Sequence, residues 1–251
     1  MSWFVSLLVL SALIFFHELG HFAGARLMGV YVEVFSIGFG KKLASFRAFN
    51  TEWRIAAIPL GGYVRMKGQD DTDPTKISAD ADSYNSKTPL QRIAILTAGP
   101  AANFVLAYVL YFLIALGGPQ VLSPVIGDVV KDSPAAAAGL QKNDRVLAIN
   151  DHKIGTWNEM SDTIKDSHTA VRMTIERDGF VQQILVTPKM TETKNMFRET
   201  VYRPMVGISS AGVTHPLDLG IFGSMEYAAE ETWQASSLIF TSLEKLITGA
   251  V

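Results

Sequence analysis

Residues 93–118, IAILTAGPAANFVLAYVLYFLIALGG, contain no Asp, Glu, Lys, Arg or His. This run constrains the fold more than any other feature of the chain. At about 1.5 Å per residue it is long enough to cross a bilayer as a helix. Pro100 is expected in the first turns of that helix, where a kink is tolerated if neighbours satisfy the freed carbonyl. Residues 3–28 form a second run with no breaker other than glycine. The first basic residue is Arg26, so the run lacks the n-region of a signal peptide, and no small-residue cleavage signature follows it. It reads as a retained membrane helix. Composition agrees: 18% of the residues are charged, against about a quarter in soluble domains. The net charge of -2 gives no sign of a nucleic-acid partner, and the bilayer is the partner that these runs call for.

The remaining segments are unlike one another. Residues 31–66 read as short strands with Gly-rich turns. Residues 68–92 are polar, with Asp70, Asp71, Asp73, Asp80 and Asp82, and read as a loop. Residues 121–212 alternate short strands with one helix around Trp157 to Asp166, as a soluble domain does. Residues 217–247 are apolar on one helical face but carry Glu226, Glu230, Glu231, Glu244 and Lys245. That pattern predicts amphipathic helices lying on a membrane surface rather than a third span. Seven basic residues between Arg26 and Lys67, against Glu33 and Glu52, put that segment in the cytosol. The N-terminus and the 121–247 region then lie outside.

Within the first apolar run stands His17-Glu18-Leu19-Gly20-His21, an HExxH pattern. On a helix, positions four apart share a face, so both imidazoles reach one ion. The chain has no cysteine, so any metal must take His, Asp or Glu. Neutral imidazole suits Zn²⁺, and a catalytic zinc keeps one position open for water. Glu18 stands ready to take a proton from the water that such an ion acidifies. Unpaired ionisable groups at membrane depth are expensive and mark function; an ion and a local water pocket compensate for their burial. His152, His168 and His215 are scattered among polar residues and read as surface histidines. Asn103 in the second run reads as a packing polar, bonded to the first span or to the strands.

HELGH in the first span, GPAANF at 99–104 in the second and IPLGGYVRM at 58–66 between them resemble the site-2 proteases, most closely the bacterial regulator-of-sigma-E protease branch. The resemblance runs over nearly the whole chain. It implies a multi-pass α-helical membrane protein with a re-entrant β-hairpin element and an extracytoplasmic α+β PDZ domain, in a bacterial inner (cytoplasmic) membrane with the PDZ domain on the periplasmic side. The corresponding divisions are 1–29, the first membrane helix; 30–67, the re-entrant β element; 68–92, a cytoplasmic loop; 93–118, the second membrane helix; 119–212, the PDZ domain; and 213–251, interfacial helices. Zn²⁺ would be bound by His17 and His21, with Glu18 as general base. Substrates would be single-pass membrane proteins, anti-sigma factors or signal-peptide remnants, cleaved in regulated intramembrane proteolysis.

The family's third zinc ligand is the aspartate of an LDG element, which is not found here. The only Asp-Gly, Asp178-Gly179, reads as a hairpin turn. The expectation is therefore a C-terminally truncated chain whose third ligand lies beyond Val251, and which by itself is inactive. The β element should offer an unpaired edge, at Ile55, Ala56, Ala57, Ile58, Gly61 and Gly62, to which a substrate strand adds. The stretch 133-SPAAAAGLQKNDRVLAINDHKI-154 resembles a PDZ domain of the protease-associated type. Asn143 and Asp151 stand where glycine is usual, and both residue types tolerate left-handed backbone. Such a module captures chain ends or filters substrates by size. The rival function is an inactive, membrane-anchored PDZ binding module.

Overall fold

The computed structural model describes residues 2–69 and 78–248; Asp70, Asp71 and Asp73 of the expected loop lie outside them. Two compact units emerge, one made of residues 1–112 with 228–234 and the other of 113–227 with 235–251.

In the first unit, α1 (Ser2–Leu27) ends in a paired cap. Val30 N–H donates to Ala25 O at 2.8 Å and Gly29 N–H to Arg26 O at 3.1 Å, with Gly29 at φ +69. This is the Schellman arrangement, in which a left-handed residue closes the last turn. The chain then enters β1 (Val32–Ala48), which returns as β2 (Thr51–Met66). The expected short strands with glycine turns are thus two long strands joined at Phe49 and Asn50, both at positive φ. That is the mirror-image two-residue turn matching strand twist. The glycines serve inside the strands instead. At Gly38, for instance, a Cβ would meet Ile58 O at 2.6 Å, so the backbones cross closely there. The ribbon also doubles back: Phe35 faces both Val64 and Trp53, and Ile37 faces both Gly62 and Ile55.

The second apolar helix, α2 (Pro89–Leu116), starts four residues earlier than the uncharged run. Thr88 and Gln91 form a reciprocal capping box, Thr88 N–H to Gln91 Oε1 at 3.0 Å and Gln91 N–H to Thr88 Oγ1 at 3.4 Å. Pro89 takes the first helical position, where its missing N–H costs nothing. Pro100 consequently falls in the helix interior rather than in the first turns. The end of the expected loop is also ordered, by a 3₁₀ turn at Tyr84–Ser86 and by Lys67 paired with Asp80 and Asp82. Ala25, Val30, Val32, Met66 and Ile95 form the buried core of this unit. Outward, α1 and α2 expose Trp3, Phe4, Leu8, Val105, Leu113 and Ile114. Both helices are long and apolar enough to cross a membrane.

The second unit holds β3 (Gln120–Leu122), β4 (Ile126–Val129), α3 (Pro134–Ala137), β5 (Arg145–Ile149), β6 (His152–Lys153), α4 (Trp157–Lys165), β7 (Val171–Arg177), β8 (Phe180–Val186), β9 (Lys189–Lys194), β10 (Thr200–Met205), β11 (Ile208–Ser210), β12 (Thr214–Pro216) and, apart from residues 228–234, α5 (Gly220–Thr248). An antiparallel sheet in the order β6-β5-β7-β8 packs its inner face with α4 around Ile149, Met160, Met173 and Ile175. The single expected helix is joined by the short α3, capped by Ser133 Oγ accepting from Ala136 N–H. Asn143 (φ +71) and Asp151 (φ +68) do adopt left-handed backbone, and Asp178-Gly179 does form the β7–β8 turn. Asp144, fully buried, accepts two hydrogen bonds of 2.6 Å from the Arg177 guanidinium and one of 2.8 Å from Gln141 N–H. The C-terminal segment is one helix, α5, rather than several.

Candidate metal centre

Both histidines sit on the face of α1 turned towards α2. Their Nε2 atoms lie 3.2 Å apart, with the rings edge to face. Two nitrogens bound to one tetrahedral ion at about 2.0–2.1 Å lie roughly 3.3 Å from each other. The imidazole pair therefore already has the spacing that a zinc ion demands. Zinc fits the donor chemistry as well: His21 Nδ1 is 2.9 Å from Ile95 O, and a carbonyl only accepts. The proton must be on Nδ1, which leaves the Nε2 lone pair facing His17. This outer hydrogen bond is the one that metal-binding histidines ordinarily make.

Small residues make room for the arrangement. A Cβ on Gly20 would stand 2.2 Å from Ala98 O, and one on Gly24 would stand 2.8 Å from Ala98 Cβ. The two helices thus touch along a seam that admits no side chain, as close-packed membrane helices do. A Cβ on Gly99 would meet His21 Nε2 at 2.3 Å, so the imidazole occupies the space that any other residue would fill. Asn103, one turn further along α2, puts Nδ2 3.3 Å from His17 Nδ1. Of the two partners expected for Asn103, the structure selects the first span.

Glu18 lies beside the strands. A Cβ on Gly62 would come within 3.1 Å of Glu18 Cγ, so the carboxylate side chain rests on the β2 backbone. The six candidate docking residues are not equivalent. Ile55 already faces Ile37 and Ala44, Ala56 is buried opposite Lys42, and Ile58 faces Phe39. Ala57 is exposed. Gly61 is packed on the Phe39 ring, and Gly62 faces only Ile37. Among the described residues, the segment Gly62–Met66 pairs with β1 alone, so the unpaired edge nearest the carboxylate is there.

Among the described residues no three His, Asp or Glu side chains converge as a complete ligand group. His152 is exposed and bonds Glu159 at 3.1 Å, His215 bonds Ser123 at 2.8 Å, and His168 is exposed. Two contributors escaped the reading of the sequence. Gly99 opens the GPAANF stretch, which by itself assigns it no contact with a histidine, and the Ile95 carbonyl has no side-chain signature at all.

The sequence matches the family described as peptidase family M50 over residues 5–251. A Campylobacter jejuni protein named as a zinc metalloprotease is 44% identical over 250 residues, covering 100% of this chain and 67% of the relative. A Helicobacter pylori protein named likewise is 40% identical, covering 98% and 71%. The zinc metalloprotease RasP of Geobacillus kaustophilus is 30% identical, covering 97% and 73%. The chain thus spans about two thirds of the length of these relatives.

Proposed function

The chain belongs to peptidase family M50, the site-2 proteases, whose members are membrane zinc metalloproteases, and from that premise we propose an intramembrane endopeptidase acting on single-pass membrane proteins. Anti-sigma factors and signal-peptide remnants are the substrate classes, in regulated intramembrane proteolysis at a bacterial inner membrane. The observation that carries this reading is the 3.2 Å approach of His17 Nε2 to His21 Nε2 on a helix long and apolar enough to span a bilayer.

His17 and His21 would hold the ion, and an aspartate outside the described residues would complete the usual three-residue set. Two imidazoles alone would bind zinc weakly. When bound, zinc supplies a Lewis acid for the scissile carbonyl and lowers the pKa of water. Glu18 takes the proton from the attacking water and returns it to the leaving amine. Its carboxylate rests on Gly62 beside the open stretch of β2. A substrate unwound into a strand and added along Gly62–Met66 would therefore present its backbone next to the base. The ribbon is the re-entrant element of the membrane region, and residues 119–212 act as an extracytoplasmic PDZ module. Supporting that module are the left-handed Asn143 and Asp151 and a cleft of about 120 Å³ lined by Trp157, Met160, Ile164, Arg203, Met205 and Ile208.

The test is zinc content and substrate cleavage of the full natural chain, wild type against His21→Ala and Glu18→Gln. His21→Ala should lose both; Glu18→Gln should keep zinc and lose cleavage. Equal metal in wild type and His21→Ala would sink the ligand assignment. Zinc-free wild type would favour the rival, a membrane-anchored PDZ binding module.

A further inference from the structure

Asn103 is the one polar side chain of α2 that reaches the histidine pair, and its amide is half satisfied. Nδ2 lies 3.3 Å from His17 Nδ1, whereas Oδ1 is buried with no hydrogen-bond partner. One end of the amide is unpaired in either orientation, at a cost of about 1–3 kcal/mol, so that cost does not choose between the two.

Proton positions make the choice. An amide N–H₂ facing His17 Nδ1 requires a lone pair there, which puts the His17 proton on Nε2. That proton then points at the Nε2 lone pair of His21, 3.2 Å away, and closes the space between the rings. Half a turn of the Asn103 amide exchanges two groups of nearly equal shape, about a torsion whose preference is broad. Oδ1 then accepts from His17 Nδ1–H, Nδ2 takes the unpaired place, and both Nε2 lone pairs converge on one point. Only this second arrangement lets both rings act as donors to a cation.

We infer that Asn103 is a positioning residue: its amide oxygen accepts from His17 Nδ1–H and fixes His17 in the tautomer that offers Nε2 to a divalent cation. The two histidines are then held by equivalent means from the same helix, His21 by the Ile95 carbonyl and His17 by the Asn103 carbonyl, two turns apart. This inference rests on the metal-binding reading above and names what orients one of its ligands.

The role requires an acceptor and no donor, which separates it from helix packing and from donation by Nδ2. In the full natural chain in detergent, zinc affinity is measured by competition with a chelator, and the visible absorption of the cobalt-substituted protein reports the ligand field. Asn103→Ala should weaken zinc binding 10–100-fold and alter the cobalt bands. Asn103→Asp, an acceptor only, should keep zinc affinity at or above that of the wild type and keep the cobalt spectrum. Loss of zinc by Asn103→Asp to the same degree as by Asn103→Ala would overturn the inference, as would wild-type affinity in Asn103→Ala. His21→Ala sets the baseline for a missing ligand. If wild type fell on that baseline, the metal reading would fail and take this inference with it; a normal wild type with insensitive Asn103 variants would sink the inference alone.

Discussion

The His21 imidazole stands where the Cβ of Gly99 would be, with Nε2 only 2.3 Å from that position. A ligand ring is therefore seated against bare backbone of the neighbouring helix, and its far nitrogen is tied to Ile95 on the same helix. Gly99→Ala forces the ring to swing away, because the alternative is parting two helices that are already in contact. The expected result is loss of zinc and at least a hundredfold fall in cleavage. Membrane insertion should be retained, and metal analysis beside a protease-protection assay checks both.

Asp144 and Arg177 form the buried ion pair of the second unit. Arg177 is held further above its ordinary pKa, first by its hydrogen bond to Asp144, and also donates to Gly139 O at 2.9 Å. Asp144→Ala leaves a mostly covered guanidinium without its counter-charge, a change that costs about 3–5 kcal/mol when a pair is fully buried. Since Arg177 retains 23% of its side-chain exposure, the lower end of that range is expected. Thermal unfolding followed by circular dichroism should show the lowered Tm, with little change in zinc content.

Glu199, in the loop between β9 and β10, is paired with Lys245 of α5, and Phe197 lies under the same ammonium at 4.9 Å. The hydrogen bond from Lys245, and then that from Asn195, hold the Glu199 carboxyl below the usual glutamate range. A depressed folded pKa stabilises fully above the unfolded value of about 4.3 and loses that contribution as pH falls through the folded value. Glu199→Gln should therefore lower Tm slightly at pH 6, and the difference from wild type should shrink as pH falls below the unfolded value and vanish once the folded carboxyl is protonated. A constant difference across that range would show that the contact stabilises by packing.

The features legible in the sequence were those with a local cause. The HExxH spacing put two imidazoles on one face because a helix repeats every 3.6 residues. Asp178-Gly179 betrayed its turn by residue type, and Asn143 and Asp151 theirs by standing where glycine is usual in the module they resemble. What stayed hidden depended on space between distant segments. Thr88 and Gln91 begin α2 before its apolar run, but a capping box among polar residues looks like loop. The glycines at 38 and 61 resemble turn signals, yet they serve crossings and ring contacts inside long strands, while the real turn falls on Phe49 and Asn50, which carry no glycine. The difference between Ile55, paired on both sides, and Gly62, paired on one, arises from the ribbon doubling back. No periodicity encodes that.

The cap at Gly29 leaves only residues 28–31 between the end of α1 and the start of β1. Such a short, hydrogen-bonded elbow has little freedom to absorb motion. Traction on the ribbon by a chain pairing with it would therefore reach the histidine-bearing helix as tilt, coupling the strand proposed to hold a substrate to the helix proposed to cut it.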